Sequence, residues 1–168
     1  MAAIRLGVLT VSDGVTAGTR ADRSGDVIEG WAIERGHVLV ARTVVPDEVA
    51  AITNALERQT DAGDTDLIVT TGGTGFTARD VTPEATARVI ERAAPGIAEA
   101  IRARGAQATP HAWLSRGLAG IRGRTLIVNL PGSTSGVRDG LVLLDDVIEH
   151  AVQLLRGVDT GRHGATHG

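Results

Sequence analysis

The sequence predicts an α/β protein whose mostly parallel sheet is covered on both faces by helices. Short β-branched runs alternate along the chain with stretches of helical apolar period, the pattern of repeated strand–helix units. The strand candidates end in loops rich in Gly, Ser or Pro, and in open parallel sheets ligands bind beyond those carboxyl ends. The length of 168 residues, 42% of them apolar, suffices for one such core and is short for two.

Taken in order, Ile4 to Val11 is a buried strand in which Gly7 is tolerated or marks a close approach. After a polar loop, Ser24 can cap a helix carrying Val27, Ile28, Trp31 and Ile33, which stops at Gly36. Val38 to Val45 is a second strand. Pro46 ends it, and Asp47 can cap a helix whose Val49, Ile52 and Leu56 share a face. A third strand, Asp66 to Thr71, runs into Gly72-Gly73-Thr74-Gly75, and Thr82-Pro83-Glu84 starts the next helix with Thr as cap, Pro in the first turn and an early acid. Pro95-Gly96 breaks that helix, which Ile97 to Arg104 resumes. Residues 109–123 read as short helical turns separated by glycines, and Thr125 to Leu130 as a strand ended by Pro131-Gly132. Val137, Leu141, Leu144, Ile148, Ala151 and Leu155 mark one face of a long last helix. One domain over 1–156 and a flexible polar tail over 157–168 are expected.

Composition removes several functions. A net charge of −3 with 22% charged residues argues against a general polyanion binder and against duplex nucleic acid as partner. Phe76, Trp31 and Trp113 are the whole aromatic complement besides histidine, a poor platform for stacked bases. With no cysteine there is no thiol nucleophile, disulfide or iron–sulfur ligation, which suits a reducing, cytoplasmic setting. All 17 basic residues are arginine, so Schiff-base chemistry and a lysine-bearing P-loop are excluded. The opening residues read as a first strand and not a signal peptide, and no apolar run is long enough to span a membrane. His111 and His150 read as surface or packing residues, and His163 and His167 fall in the tail, so no zinc site is expected.

Loops following strands should face one cleft. In Gly72, Gly73, Thr74 and Gly75, small residues let backbone N–H groups converge on an anion, although such a run is also found in plain tight turns. Asp80 beside that loop would repel an anion unless it shares a divalent cation with it; otherwise it is a turn or cap acid. Asp47 offers a second strand-end carboxylate besides its capping role. Ser12, Ser24, Gly25 and the basic pair Arg20 and Arg23 could hold a phosphate, or form a solvated loop with internal ion pairs. Ser115-Arg116 could form a hydroxyl–guanidinium clamp, and Asn129, Pro131 and Gly132 a turn that shapes the cleft.

Together these motifs resemble the MogA/MoaB family of molybdenum-cofactor biosynthesis proteins, and the related G domain of gephyrin. The resemblance covers roughly residues 4–156. It rests on TTGGTG with Asp80 and Val-Thr-Pro-Glu-Ala after it, joined by Ser12–Gly25, Pro46-Asp47, Leu114–Gly123 and the Asn129–Gly132 turn. It implies a three-layer α/β/α, molybdopterin-binding-like fold with a mixed sheet and one reversed strand. It further implies a molybdopterin adenylyltransferase using ATP and Mg²⁺, with Asp47 and Asp80 as the catalytic, metal-holding acidic pair. Phosphate, nucleotide and molybdopterin contacts would come from Ser12, Ser24, Gly25, Gly72, Gly73, Thr74, Gly75, Ser115, Arg116, Asn129, Pro131 and Gly132. A homotrimer, or a hexamer, and contact with a molybdate insertion enzyme follow from the same resemblance. Many members have a proline after NLPG-Ser or NLPG-Asn, whereas this chain has Ser133-Thr134, which leans toward the MoaB branch. That keeps open a weakly active or inactive molybdopterin carrier or assembly partner.

Overall fold

The fold comes from a computed structural model, which describes residues 3–158. Its elements are β1 (Arg5–Val11), α1 (Asp13–Thr16), α2 (Arg23–Glu34), β2 (Val38–Val45), α3 (Val49–Asp61), β3 (Leu67–Thr71), α4 (Thr82–Val89) and β4 (Arg92–Ala93). They continue with α5 (Pro95–Ala106), a 3-10 turn at Pro110–Leu114, β5 (Ala119–Arg122), β6 (Thr125–Leu130) and α6 (Thr134–Leu155). The strands form one sheet in the order β2-β1-β3-β6-β5-β4. β2, β1, β3 and β6 are parallel, and β5 runs antiparallel to β6. β4 pairs antiparallel with β5, so β5 is the reversed strand.

Side-chain alternation along the strands builds a core on each face. Leu6, Val8, Leu67, Val69, Leu126 and Val128 point toward α2, α5 and α6, where Ile28, Trp31, Ile101, Leu141 and Leu144 meet them. Leu9, Val11, Ile68 and Ile127 point the other way, toward Ile52, Leu56, Ala85 and Val89 of α3 and α4. That is the expected α/β/α sandwich, with the sheet as the middle layer. Gly7 marks a close approach: a Cβ there would lie 2.1 Å from Gln59 Oε1 of α3. The β1–β2 register also shifts between Leu6 and Gly7.

Several local expectations are corrected. Asp22, not Ser24, caps α2, accepting from Gly25 N–H at 3.1 Å; Ser24 is already helical. Asp47 caps nothing, because Glu48 occupies the cap of α3 without a side-chain bond. Thr82 lies inside α4, with Val81 at its cap, and its hydroxyl donates to the Gly72 carbonyl at 2.9 Å. α4 and α5 are separated by strand β4 and not merely by Pro95-Gly96. Residues 109–123 hold the short helical turn and then β5, whose Ala-Gly-Ile-Arg carries little strand propensity of its own. From residue 159 onward the expected tail, with His163 and His167, lies outside the described residues.

Candidate active site

The carboxyl ends of β1, β2, β3 and β6 open into a cleft of about 790 Å³. The first turns of α2 and α6 also reach it, through Arg23 and Ser24 and through Thr134. Helix amino ends carry unpaired N–H groups and positive potential, so this arrangement favours an anion. A second cavity of about 450 Å³ adjoins it, lined on its apolar side by Ile101, Ala108, Ala112 and Leu114. Gly73, Asp80, Gly132 and Ser133 line both, so the glycine loop is the wall between them.

Backbone bonding turns that loop into a fixed cradle. Gly72 O accepts from the Thr82 hydroxyl, Gly73 O from Thr82 N–H at 3.1 Å, and Thr74 O from Arg116 N–H at 2.8 Å. Gly75 O accepts from Arg116 Nε at 2.8 Å. The N–H groups of Gly73, Thr74 and Gly75 bond to no acceptor among the described residues. With the carbonyls tied to protein and these amides free, the loop presents donors to an incoming anion. Glycine is required at Gly72 and Gly73, whose φ values are +95° and +69°. A Cβ would lie 2.3 Å from Val11 O at Gly72 and 2.3 Å from Thr82 Oγ1 at Gly73. Gly73→Val is therefore expected to cost about 1–3 kcal/mol of stability and to weaken anionic-ligand binding about tenfold or more. Urea unfolding and calorimetry with ATP and with molybdopterin check this; unchanged affinity for both ligands contradicts the cradle.

Asp47 and Asp80 both line the larger cleft. Asp47 Oδ2 accepts from Asp13 N–H at 2.8 Å, and Asp80 Oδ2 accepts from Thr77 N–H and its hydroxyl at 2.9 and 2.8 Å. No N–H or hydroxyl among the described residues bonds to the other oxygen of either acid. Burial raises the Asp47 carboxyl, and the Asp13 and Asp80 charges add to this against the Asp13 N–H and Arg79. A divalent cation would relieve that repulsion, and one anchored and one spare oxygen on each acid fit a cation ligand. Among the described residues no group of three or more His, Cys, Asp or Glu could hold a metal by itself. The remaining ligands must then come from water or from a bound phosphate, which suits a cation that arrives with a nucleotide.

The other predicted positions divide. Ser12 and Ser24 line the large cleft, Thr74, Gly75, Ser115 and Pro131 the smaller cavity, and Gly132 both. Gly25 is buried beneath Asp22. Arg116 lines neither cavity: its guanidinium holds Gly75 O, Asp80 O and Glu84, bracing the loop from behind. Asn129 is buried, accepting from Leu118 N–H and donating to the Thr70 and Thr86 hydroxyls. The cations lining the cleft are Arg20 and Arg23. Ser133, just before the departure from the family pattern at Thr134, caps α6 by accepting from Gly136 N–H at 3.1 Å, so the helix start there is intact. Two further residues, Asp13 and Arg79, hold the site together; Asp13 follows Ser12 and Arg79 precedes Asp80, and that adjacency is the only signal for them in the sequence.

Fold and cleft define an α/β/α protein with a cleft at its strand ends whose lining suits an anionic ligand beside an acidic pair. Residues 7–150 match the family model described as a probable molybdopterin binding domain. The chain is 39% identical over 168 residues to the molybdenum cofactor synthesis protein cinnamon of Drosophila melanogaster, covering 99% of this chain and 28% of that protein. It is 38% identical to a molybdopterin adenylyltransferase of Helicobacter pylori, covering 94% and 90%. The solved structure of the molybdopterin biosynthesis enzyme MoaB from Thermus thermophilus superposes with a TM-score of 0.86 at 45% identity, covering 92% and 97%. The chain spans only 22–49% of the length of its larger relatives. It belongs to the MogA/MoaB molybdopterin-binding family.

Proposed function

We propose that this chain is a molybdopterin adenylyltransferase, transferring AMP from ATP to the terminal phosphate of molybdopterin with release of pyrophosphate. The observation that carries this reading is the meeting of Asp47, Asp80 and Gly73 of the glycine loop in one cleft that also holds Arg20 and Arg23, with the loop's other free amides, of Thr74 and Gly75, on the adjoining cavity. In the reaction a phosphate oxygen of molybdopterin forms a bond to the α-phosphorus of ATP. The bond to the bridging oxygen breaks, and pyrophosphate leaves with the electron pair. A phosphate monoester is largely deprotonated near neutrality, so no general base is needed. The difficulty is bringing two anions together, which the amides, helix ends and guanidinium groups ease by placing fixed positive potential around both. Asp47 and Asp80 would hold Mg²⁺, which when bound neutralises charge on the nucleotide phosphates.

Both acids and the glycine loop are present, which favours the enzyme over a molybdopterin carrier of the same fold. Release of pyrophosphate that requires both ATP and molybdopterin tests the reading; ATP binding unaffected by molybdopterin, without release, contradicts it. A homotrimer is part of the proposal, as is handover of the product to a molybdate insertion enzyme. Light scattering should then give about 52 kDa, three chains of 17.4 kDa each. A fully active monomer contradicts the trimer. Among the described residues no helix is long and apolar enough to cross a membrane.

A further inference from the structure

Arg79 and Asp13 line neither cavity, yet they are tied to the site's acidic pair. Arg79 Nε donates to Asp13 Oδ2 at 3.0 Å, and its Nη2 reaches Oδ1 and Oδ2 at 2.9 and 2.8 Å. Asp13 and Asp47 exchange bonds reciprocally: Asp13 N–H donates to Asp47 Oδ2 at 2.8 Å and Asp47 N–H donates to Asp13 Oδ1 at 3.0 Å. One carboxylate therefore ties together the loops that follow β1, β2 and β3, the last through the residue next to Asp80.

Exposed ion pairs are usually worth little, because two long side chains must be ordered in water. This pair differs in two respects. The guanidinium grips both carboxylate oxygens, and the Asp47 N–H fixes the carboxylate, so little freedom remains to lose when Arg79 docks.

We propose that Asp13 and Arg79 are positioning residues for adenylyl transfer, Arg79 holding Asp13 and Asp13 holding Asp47 so that its carboxylate stands in the cleft with Asp80. The proposal rests on the adenylyl-transfer reading for its purpose, and on the bonded chain Arg79–Asp13–Asp47 for its geometry.

The test compares wild type with Arg79→Gln, Asp13→Asn, the double variant and Arg79→Lys. Amide hydrogen exchange, which needs no substrate, should accelerate about tenfold at Asp13 and Asp47 in Arg79→Gln, with the melting temperature nearly unchanged. In the transfer assay, kcat should fall about tenfold while KM for molybdopterin holds. The double variant should be no slower than the slower single one, because both substitutions break one chain. Arg79→Lys, which keeps the charge without the two-pronged grip, should recover part of the loss. Unchanged exchange overturns the latch, and faster exchange with wild-type kcat overturns its positioning role. Multiplying effects in the double variant also overturn it, since Arg79 would then act on substrate directly. If wild type itself transfers no adenylyl group, the functional reading fails, and the exchange data alone decide the latch.

Discussion

Asp80→Asn is expected to lower adenylyl transfer by about 10²–10³-fold while the protein stays folded and binds molybdopterin as wild type does. Asn is nearly isosteric and keeps an oxygen to accept from Thr77 N–H and its hydroxyl, the two bonds that anchor Asp80 Oδ2. What it removes is the negative charge beside Asp47 and the spare oxygen that a cation would use. Loss of charge without loss of anchoring separates electrostatics from structure, as stability changes at such a loop stay near about 1 kcal/mol. Molybdopterin-dependent pyrophosphate release, titrated with Mg²⁺, is the measurement. Wild-type turnover with Asp80→Asn contradicts the metal-holding assignment.

Asp66→Ala should lower stability by about 2–4 kcal/mol, the largest loss expected from one substitution outside the cores. Asp66 sits immediately before β3, at the end of the sheet opposite the cleft, with its side chain only 4% exposed. Its oxygens accept from Arg5 N–H, Nε and Nη2 at 2.9, 3.1 and 2.9 Å and from Arg156 Nε and Nη2 at 3.2 and 2.5 Å. It joins β1 to the end of α6 across the bottom of the sheet. The arginines are partly exposed, which keeps the loss below that of a fully buried pair. Burial alone would raise the Asp66 carboxyl, but the Arg5 and Arg156 bonds outweigh it and hold the group well below the usual carboxylate range. A carboxyl depressed on folding stabilises above its unfolded pKa of about 3.9, and the contribution is lost as pH falls through the folded value. The stability gap between wild type and Asp66→Ala in urea should therefore be constant near neutrality and shrink below about pH 4. A gap that persists unchanged into strong acid contradicts the ion-pair account.

The sequence is most legible where structure is local. The central strands are β-branched runs buried on both faces, and Gly72 and Gly73 occupy backbone conformations that favour glycine. β4 and β5 are not legible because Arg-Ala and Ala-Gly-Ile-Arg become strands only through pairing beside β6. The same limit separates the site residues. Asp47 and Asp80 can be found because each follows a strand in a loop of suitable chemistry, and the structure places both on one cleft. Arg116 cannot be told from a phosphate clamp, since its partners Gly75 and Asp80 are 41 and 36 positions away. Capping departs from expectation for a related reason: Asp47 has the right chemistry for a cap, but Asp13, 34 positions earlier, takes its carboxylate first.

The central claim, that this cleft joins an adenylyl group to molybdopterin, is tested most directly by incubating the purified protein with molybdopterin, ATP and Mg²⁺ and weighing the pterin products by mass spectrometry. The account predicts adenylylated molybdopterin in amounts matching the pyrophosphate released, and about 10²–10³-fold less over the same time from Asp80→Asn. Molybdopterin recovered unmodified, while both substrates bind the wild-type cleft, would contradict it.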